Sequence, residues 1–263
     1  MKWIEDIEKF CLHYNIPIEY LADTLNEPKV IPMIRGKAFE FSVLKKIKEI
    51  LNEENWRPIK DVLNAQLGSH DEDVSIINNQ TGKRFSVECK LAGKGRFKKD
   101  KSGDYIINVK CMRSRTMGDA IVQRLAPQLG ISVESLSCHN DQYRQTDFDL
   151  VVTSIGNAFY ETDNEGLFYW NPSREGQEFL LKLLGETNPE LQQQAGFNKM
   201  YVASSIDLTV GNGFQKCVRR TCSDNERCGF IPNYPPIIFN HETLRPINGW
   251  LPIEEIETIL NRK

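Results

Sequence analysis

No stretch of this 263-residue chain approaches the ~20 consecutive apolar residues that a membrane-spanning helix requires, so no membrane role is expected. No Gly-x4-Gly-Lys-Ser/Thr run occurs, which argues against an ATP-driven motor and leaves no nucleotide cofactor to expect. Histidine is scarce, at four, and the seven cysteines contain no Cys-x2-Cys pair. An odd cysteine count in a chain this long speaks against a disulfide framework, so a reducing cytoplasm is the expected compartment. The amino terminus, Met1-Lys2-Trp3-Ile4-Glu5-Asp6, lacks the basic-then-apolar pattern of a signal peptide. Excess positive charge is missing too. A net charge of −3 argues against a dedicated nucleic-acid coat protein, but not against local contact with phosphates.

What is present is enough for a core. Hydrophobic residues make up 40% of the chain and aromatics 10%, consistent with one domain over residues 1–263. The first 33 residues read as helical, with Trp3, Ile4, Ile7, Phe10 and Cys11 at helical spacing. Breaks at Pro28 and Pro32 follow, then a helix over 36–53 with Phe39, Val43, Leu44, Ile47, Ile50 and Leu51 as its stripe. Strands are expected at 74–77, 84–90, 105–111, 150–155 and 200–210. Helices are expected at 118–130, facing inward through Ala120, Ile121, Leu125 and Leu129, and at 173–184. This order predicts an α/β fold, a mixed central sheet flanked by helices. Composition changes only after Gly211, where a Cys- and Pro-rich segment (about 211–263) begins.

In Arg84-Phe85-Ser86-Val87-Glu88-Cys89-Lys90, strand alternation puts Phe85, Val87 and Cys89 on one face and Ser86, Glu88 and Lys90 on the other. A turn centred between Gln80 and Thr81 brings Asp73 opposite Glu88. Two facing carboxylates repel unless a cation lies between them, and a hard divalent ion suits oxygen ligands. Lys90 beside them can hold a water or stabilise charge on a phosphoryl group. The only other Glu-x-Lys, Glu27-Pro28-Lys29, has a central proline that an inner strand rejects. Glu40 falls on the apolar stripe of its helix, where an acid is rare unless paired or metal-bound.

Gly36-x3-Glu40 on a helix, then Asp73, then Glu88-Cys89-Lys90 ending the next strand, resembles the PD-(D/E)xK nuclease superfamily over roughly residues 34–155. The resemblance implies a restriction-endonuclease-like fold and a Mg²⁺-dependent enzyme hydrolysing phosphodiester bonds of double-stranded DNA. Among such enzymes it is most like a type II restriction endonuclease acting as a homodimer. It implies Asp73, Glu88 and the Cys89 backbone carbonyl as Mg²⁺ ligands, Lys90 as the water-positioning cation and Glu40 as an accessory acid. No proline precedes Asp73, and the run His70-Asp71-Glu72-Asp73 leaves Asp71 and Glu72 as alternative ligands. A repair or recombination nuclease of the same fold, or a non-catalytic nucleic-acid-binding module, are the competing readings.

Residues 90–124 hold ten Lys or Arg against three Asp. The segment from Gly93 reads as a flexible basic loop in which Lys94, Arg96, Lys98 and Lys99 can meet phosphates, and Arg113 and Arg115 can share a face toward DNA. His139, Asn140, Asp141, Gln142 and Arg144 form another polar cluster of a base-reading type. Cys217, Cys222 and Cys228, with Cys138, His139 or His241 as fourth ligand, suggest a Zn²⁺ site, but the loose spacing favours free structural cysteines.

Overall fold

The hairpin expected from the alternation at 84–90 lies near one side of a six-stranded mixed sheet. The computed structural model describes residues 2–60 and 72–262. In chain order these form α1 (Lys2–His13), α2 (Leu21–Asn26), α3 (Ile31–Ile50), β1 (Trp56–Ile59), β2 (Val74–Asn78), β3 (Arg84–Cys89), β4 (Ala92–Lys99) and β5 (Tyr105–Val109). They continue with α4 (Asp119–Gln128), α5 (Val133–Cys138), β6 (Leu150–Ser154), β7 (Tyr160–Thr162), β8 (Phe168–Trp170), α6 (Arg174–Leu184) and α7 (Pro189–Asn198). β9 (Met200–Ser204), α8 (Ser205–Leu208), β10 (Pro236–Phe239), β11 (Trp250–Pro252) and α9 (Ile256–Leu260) follow.

The central sheet runs β1-β2-β3-β6-β9-β11 and is antiparallel except where β3 meets β6. β6 and β9 are buried along their whole length because both faces are covered. Leu150, Val152, Met200 and Val202 point into a core shared with Phe39, Val43 and Ile47 of α3 and with Ile256 and Ile259 of α9. Val151, Tyr201 and Ala203 point the other way, into a core shared with β5, β10 and Phe179 of α6. β10, β5 and β4 form a second sheet, and β7 with β8 a small ribbon. The mixed sheet flanked by helices is as expected. Two of its strands, β9 and β11, come from beyond residue 155, so the sheet extends past the 34–155 segment.

Several local expectations are corrected. α3 begins at Ile31, with Pro32 in its first turn, where a missing N–H costs no hydrogen bond. The segment expected as a flexible basic loop is strand β4, paired with β5 at the edge of the second sheet. The third strand stops at Val109, and β9 stops at Ser204, whose hydroxyl accepts from the Ile206 N–H and turns the chain into α8. α4 buries Val122 and Ala126 and leaves Ile121 exposed, because it packs on Leu136 and Phe230, a face one residue away from the expected stripe. β1 was not foreseen; its Pro58 is tolerated because the strand sits at the sheet edge.

Candidate functional site

The β2–β3 register is the one that the turn predicts: Val74 pairs with Val87, Ser75 with Ser86, Ile76 with Phe85 and Ile77 with Arg84. One step beyond, Asp73 reaches the level of Glu88, and its carboxylate accepts the Cys89 backbone N–H at 2.8 Å. Phe85 and Val87 enter the α3 core, while Glu88 projects to the opposite face with Lys90. There the Lys90 ammonium lies 2.6 Å from Glu88 Oε1, and both side chains are largely buried.

The electrostatics follow from that burial. Desolvation, then the neighbouring Glu88 charge, pushes the Asp73 carboxyl up to about 7; Glu40 adds to this, while the Cys89 N–H and Lys90 act against it. Burial works against the Lys90 charge, but Glu88 and Tyr143 outweigh it and the net direction is upward. Lys90 is therefore a fixed cation at neutral pH.

The other carboxylates sort themselves by partner. Glu40 is only 6% exposed, as its place on the stripe suggested. Two lysines pair with it: Lys37 at 2.9 Å and Lys60. Lys60 also donates to the Asp73 backbone carbonyl at 2.9 Å, so one ammonium ties α3 to the start of β2. Glu72 accepts from Ser75 Oγ at 2.5 Å and pairs with Arg84 at 2.8 Å. Between Glu72 and Asp73, the geometry brings Asp73 to Glu88. Asp71 lies outside the described residues.

Tyr143 and Lys60 escaped the sequence reading. Tyr143 donates its hydroxyl to Glu88 Oε1 at 2.9 Å, and its ring lies 5.3 Å from the Lys90 ammonium. Burial, then Glu88, drives its phenol upward, so the hydroxyl remains a donor. Nothing local marks it: it follows α5, more than fifty positions after Glu88, and only the packing of that segment beneath β3 brings the two together. Lys60 has no apolar pattern around it because it follows a short edge strand.

The basic residues do not form one surface. Lys94 Nζ donates to Thr162 Oγ1 at 2.5 Å and lies 3.4 Å from the Phe168 ring. Arg96, Lys98 and Lys99 are exposed on β4, with Arg96 over Tyr234. Arg113 is a strut: it pairs with Asp147 at 2.5 Å, donates to the Gln142 carbonyl and packs on Tyr143. Arg115 is exposed, so the expected Arg113–Arg115 face is not shared. His139 and Gln142 are buried and Asp141 is held by Arg219 and Asn233, so the polar cluster at 139–144 is interior structure rather than an open reading surface.

Three of the cysteines and a histidine are brought together. His139, Cys217, Cys222 and Cys228 bring one ligand atom each to within 4.8 Å of one another, a group that could hold a metal such as Zn²⁺. Among the described residues it is the one such group of three or more His, Cys, Asp or Glu; Asp73, Glu88 and Glu40 do not close into one. Spacing alone does not show this grouping, because the histidine comes from the end of α5, far away in sequence. His241 instead pairs with Asp104 at 2.9 Å, and the Cys138 thiol meets Thr221. Compared with known protein families, with curated proteins and with solved structures, the chain matches none.

Proposed function

We propose that this chain is a divalent-metal-dependent nuclease acting on double-stranded DNA, of the restriction-endonuclease-like fold, with Asp73, Glu88 and Lys90 at its centre. One observation carries the reading: the hairpin register sets Asp73 against Glu88 at a strand end, with Lys90 on the same strand face as Glu88. A carboxyl raised to about 7 by burial and by a neighbouring carboxylate is strained in the way that a cation relieves.

Mg²⁺ is the ion that this reading assigns to the site. Asp73 and Glu88 offer hard oxygens, and the resemblance adds the Cys89 carbonyl. When bound there, Mg²⁺ would polarise the scissile phosphate and acidify water. The chain's own residues do the rest. Lys90 holds its proton at neutral pH and places a positive charge where phosphoryl oxygens gain negative charge. Tyr143 orients Glu88 through its hydroxyl hydrogen bond. Glu40, through Lys60, fixes α3 to the Asp73 backbone. Hydrolysis then breaks the bond to the 3′ oxygen by in-line attack of water.

Arg96, Lys98, Lys99 and Arg115 are exposed cations available to the DNA backbone. Lys94 serves that surface only by giving up its Thr162 contact, and Arg113 is assigned to holding Tyr143. A palindromic target calls for a two-fold dimer; the exposed Trp3, Ile7 and Phe10 on one face of α1 supply an apolar surface for one. The type II assignment rests on the resemblance.

The test is incubation of plasmid and phage DNA with the protein and Mg²⁺, beside a chelator control. Discrete fragments that disappear with Lys90→Ala support both the class and the site. Protein that is inert across metals and DNAs, or a Lys90→Ala variant that cuts as well as its parent, overturns it.

A further inference from the structure

We infer that His139, Cys217, Cys222 and Cys228 bind one Zn²⁺ in a closed structural site, and that this ion holds residues 209–235 against the end of α5.

Three thiols and one imidazole converge, with all four ligand atoms within 4.8 Å of one another. Thiolate and imidazole select zinc over the hard ions that carboxylates prefer. The histidine is already set for the task. Its Nδ1 lies 2.8 Å from the Ser135 carbonyl, which can only accept, so Nδ1 carries the hydrogen and Nε2 keeps its lone pair. Nε2 faces Cys217 Sγ at 3.5 Å. A backbone carbonyl that fixes the tautomer in this way is the usual second support of a zinc-bound imidazole. The ring is fully buried and stacks on Phe230 at 4.4 Å, which fixes its plane as well. On the sulfur side, the Arg219 backbone N–H points at Cys217 Sγ from 3.5 Å.

The surrounding chain supplies a separate reason. Between α8 and β10, residues 209–235 contain no helix and no strand, a length that few compact domains leave without a clamp. Its apolar anchors lie at its two ends: Val210 is buried, Phe230 and the partly buried Cys228 join Val122, Ala126 and Leu136, and Ile231 enters the main core, whereas Phe214 and Val218 between them are exposed. A tetrahedral ion bonded to three points of this segment and to α5 supplies the missing constraint, and binding free energy becomes folding free energy. Loading releases the three thiol protons and leaves a net charge of −1 on the site, in a segment that carries Arg219, Arg220 and Arg227.

The clamp also has a direction. Ile231 donates its N–H to the Tyr143 carbonyl at 2.8 Å, Phe230 bridges Arg144, and both Arg219 and Asn233 hold Asp141. The clamped segment is therefore the bed on which Tyr143 lies.

The test is metal analysis of the full chain purified without chelator. One zinc per chain is expected, released by a mercurial that titrates thiols. Replacement by Co²⁺ should give intense tetrahedral d–d bands with a thiolate charge-transfer band. Cys222→Ser and Cys228→Ser should lose the metal, whereas Cys138→Ser, adjacent but outside the cluster, should keep it. A chain without zinc that gives no such cobalt spectrum, two of the three thiols found as a disulfide, or full zinc content in Cys222→Ser and Cys228→Ser overturns the inference. The cobalt spectrum of the parent decides the matter even if a serine variant does not fold, and none of these readouts depends on nuclease activity.

Discussion

The strand-end acids and the cysteine–histidine cluster are opposite solutions to placing ionisable groups together. Asp73 and Glu88 are brought face to face by a hairpin, and Lys90 answers Glu88 there, while Lys60 pairs with Glu40 and donates to the Asp73 backbone carbonyl. His139 and the three cysteines are collected from elements some 80 residues apart and face one another rather than salt-bridge partners. The first arrangement leaves hard oxygens beside a fixed cation, the setting that the proposed nuclease reading uses. The second leaves soft donors turned inward, a setting for a permanent cross-link. The same difference separates catalytic from structural metal sites in general: one keeps an open position and the other does not.

Substitutions can break the contrast, and the largest effect is expected at Lys90. Lys90→Ala should lower Mg²⁺-dependent cleavage by roughly 10²–10³-fold, the scale on which a single group stabilising transition-state charge is worth removing. Gel assays on a folded variant, checked by circular dichroism, measure it; cleavage within a few-fold of the parent would remove Lys90 from the chemistry. Next comes the cluster. Stripping metal with a strong zinc chelator should lower the Tm on the order of 10 °C, following from several kcal/mol of lost binding energy in a chain of this size. An excess of Mg²⁺ should not restore it. Scanning calorimetry with each metal added back separates the two sites, and full rescue by Mg²⁺ would erase the distinction between them.

A smaller effect is expected from Tyr143→Phe. It removes one hydrogen bond to Glu88 and keeps the ring on Lys90, so cleavage should fall about tenfold or less while metal content at the cysteines stays the same. The smallest effect has the opposite sign for stability. The Asp73 carboxyl has an ordinary value of 3.8 and a native value of about 7. Between those values the native chain holds a proton that the unfolded chain has released, so this group's contribution to stability declines as pH rises through the window. Asp73→Asn keeps an acceptor for the Cys89 N–H and cannot ionise. Without metal it should melt a few degrees above the parent at pH 8, roughly the scale of 1 kcal/mol in a chain of this size, and lose that advantage toward pH 4. Melting curves at the two pH values suffice, and an advantage greater at pH 4 than at pH 8 would refute the electrostatic account.

How far each region could be read in advance follows from the range of the interactions that build it. The turn residues Asn78 to Lys83 and the alternation at 84–90 set the hairpin register, and the structure repeats that register pair for pair. Glu40 was likewise legible, since helical period alone places it on the stripe of Phe39, Val43 and Ile47. Periodicity failed where a neighbour decides the face: α4 turns Val122 and Ala126 inward, rather than Ile121 and Leu129, to meet Leu136 and Phe230. It failed again at β4, whose glycines and lysines read as a loop until β5 offers them a pairing edge.

By itself, then, the sequence determined the local parts: the Asp73–Glu88 facing, the side of the strand that Lys90 occupies, and the buried place of Glu40. These need only chain stiffness and a period of 2 or 3.6. Which cation answers which carboxylate was settled by tertiary structure, since Lys60, Tyr143 and Arg113 reach their partners across sheets and helices. So was the choice of His139 over Cys138 and His241 as the companion of three cysteines. A side chain's partners across a core depend on how whole elements pack, and no spacing within one element encodes that.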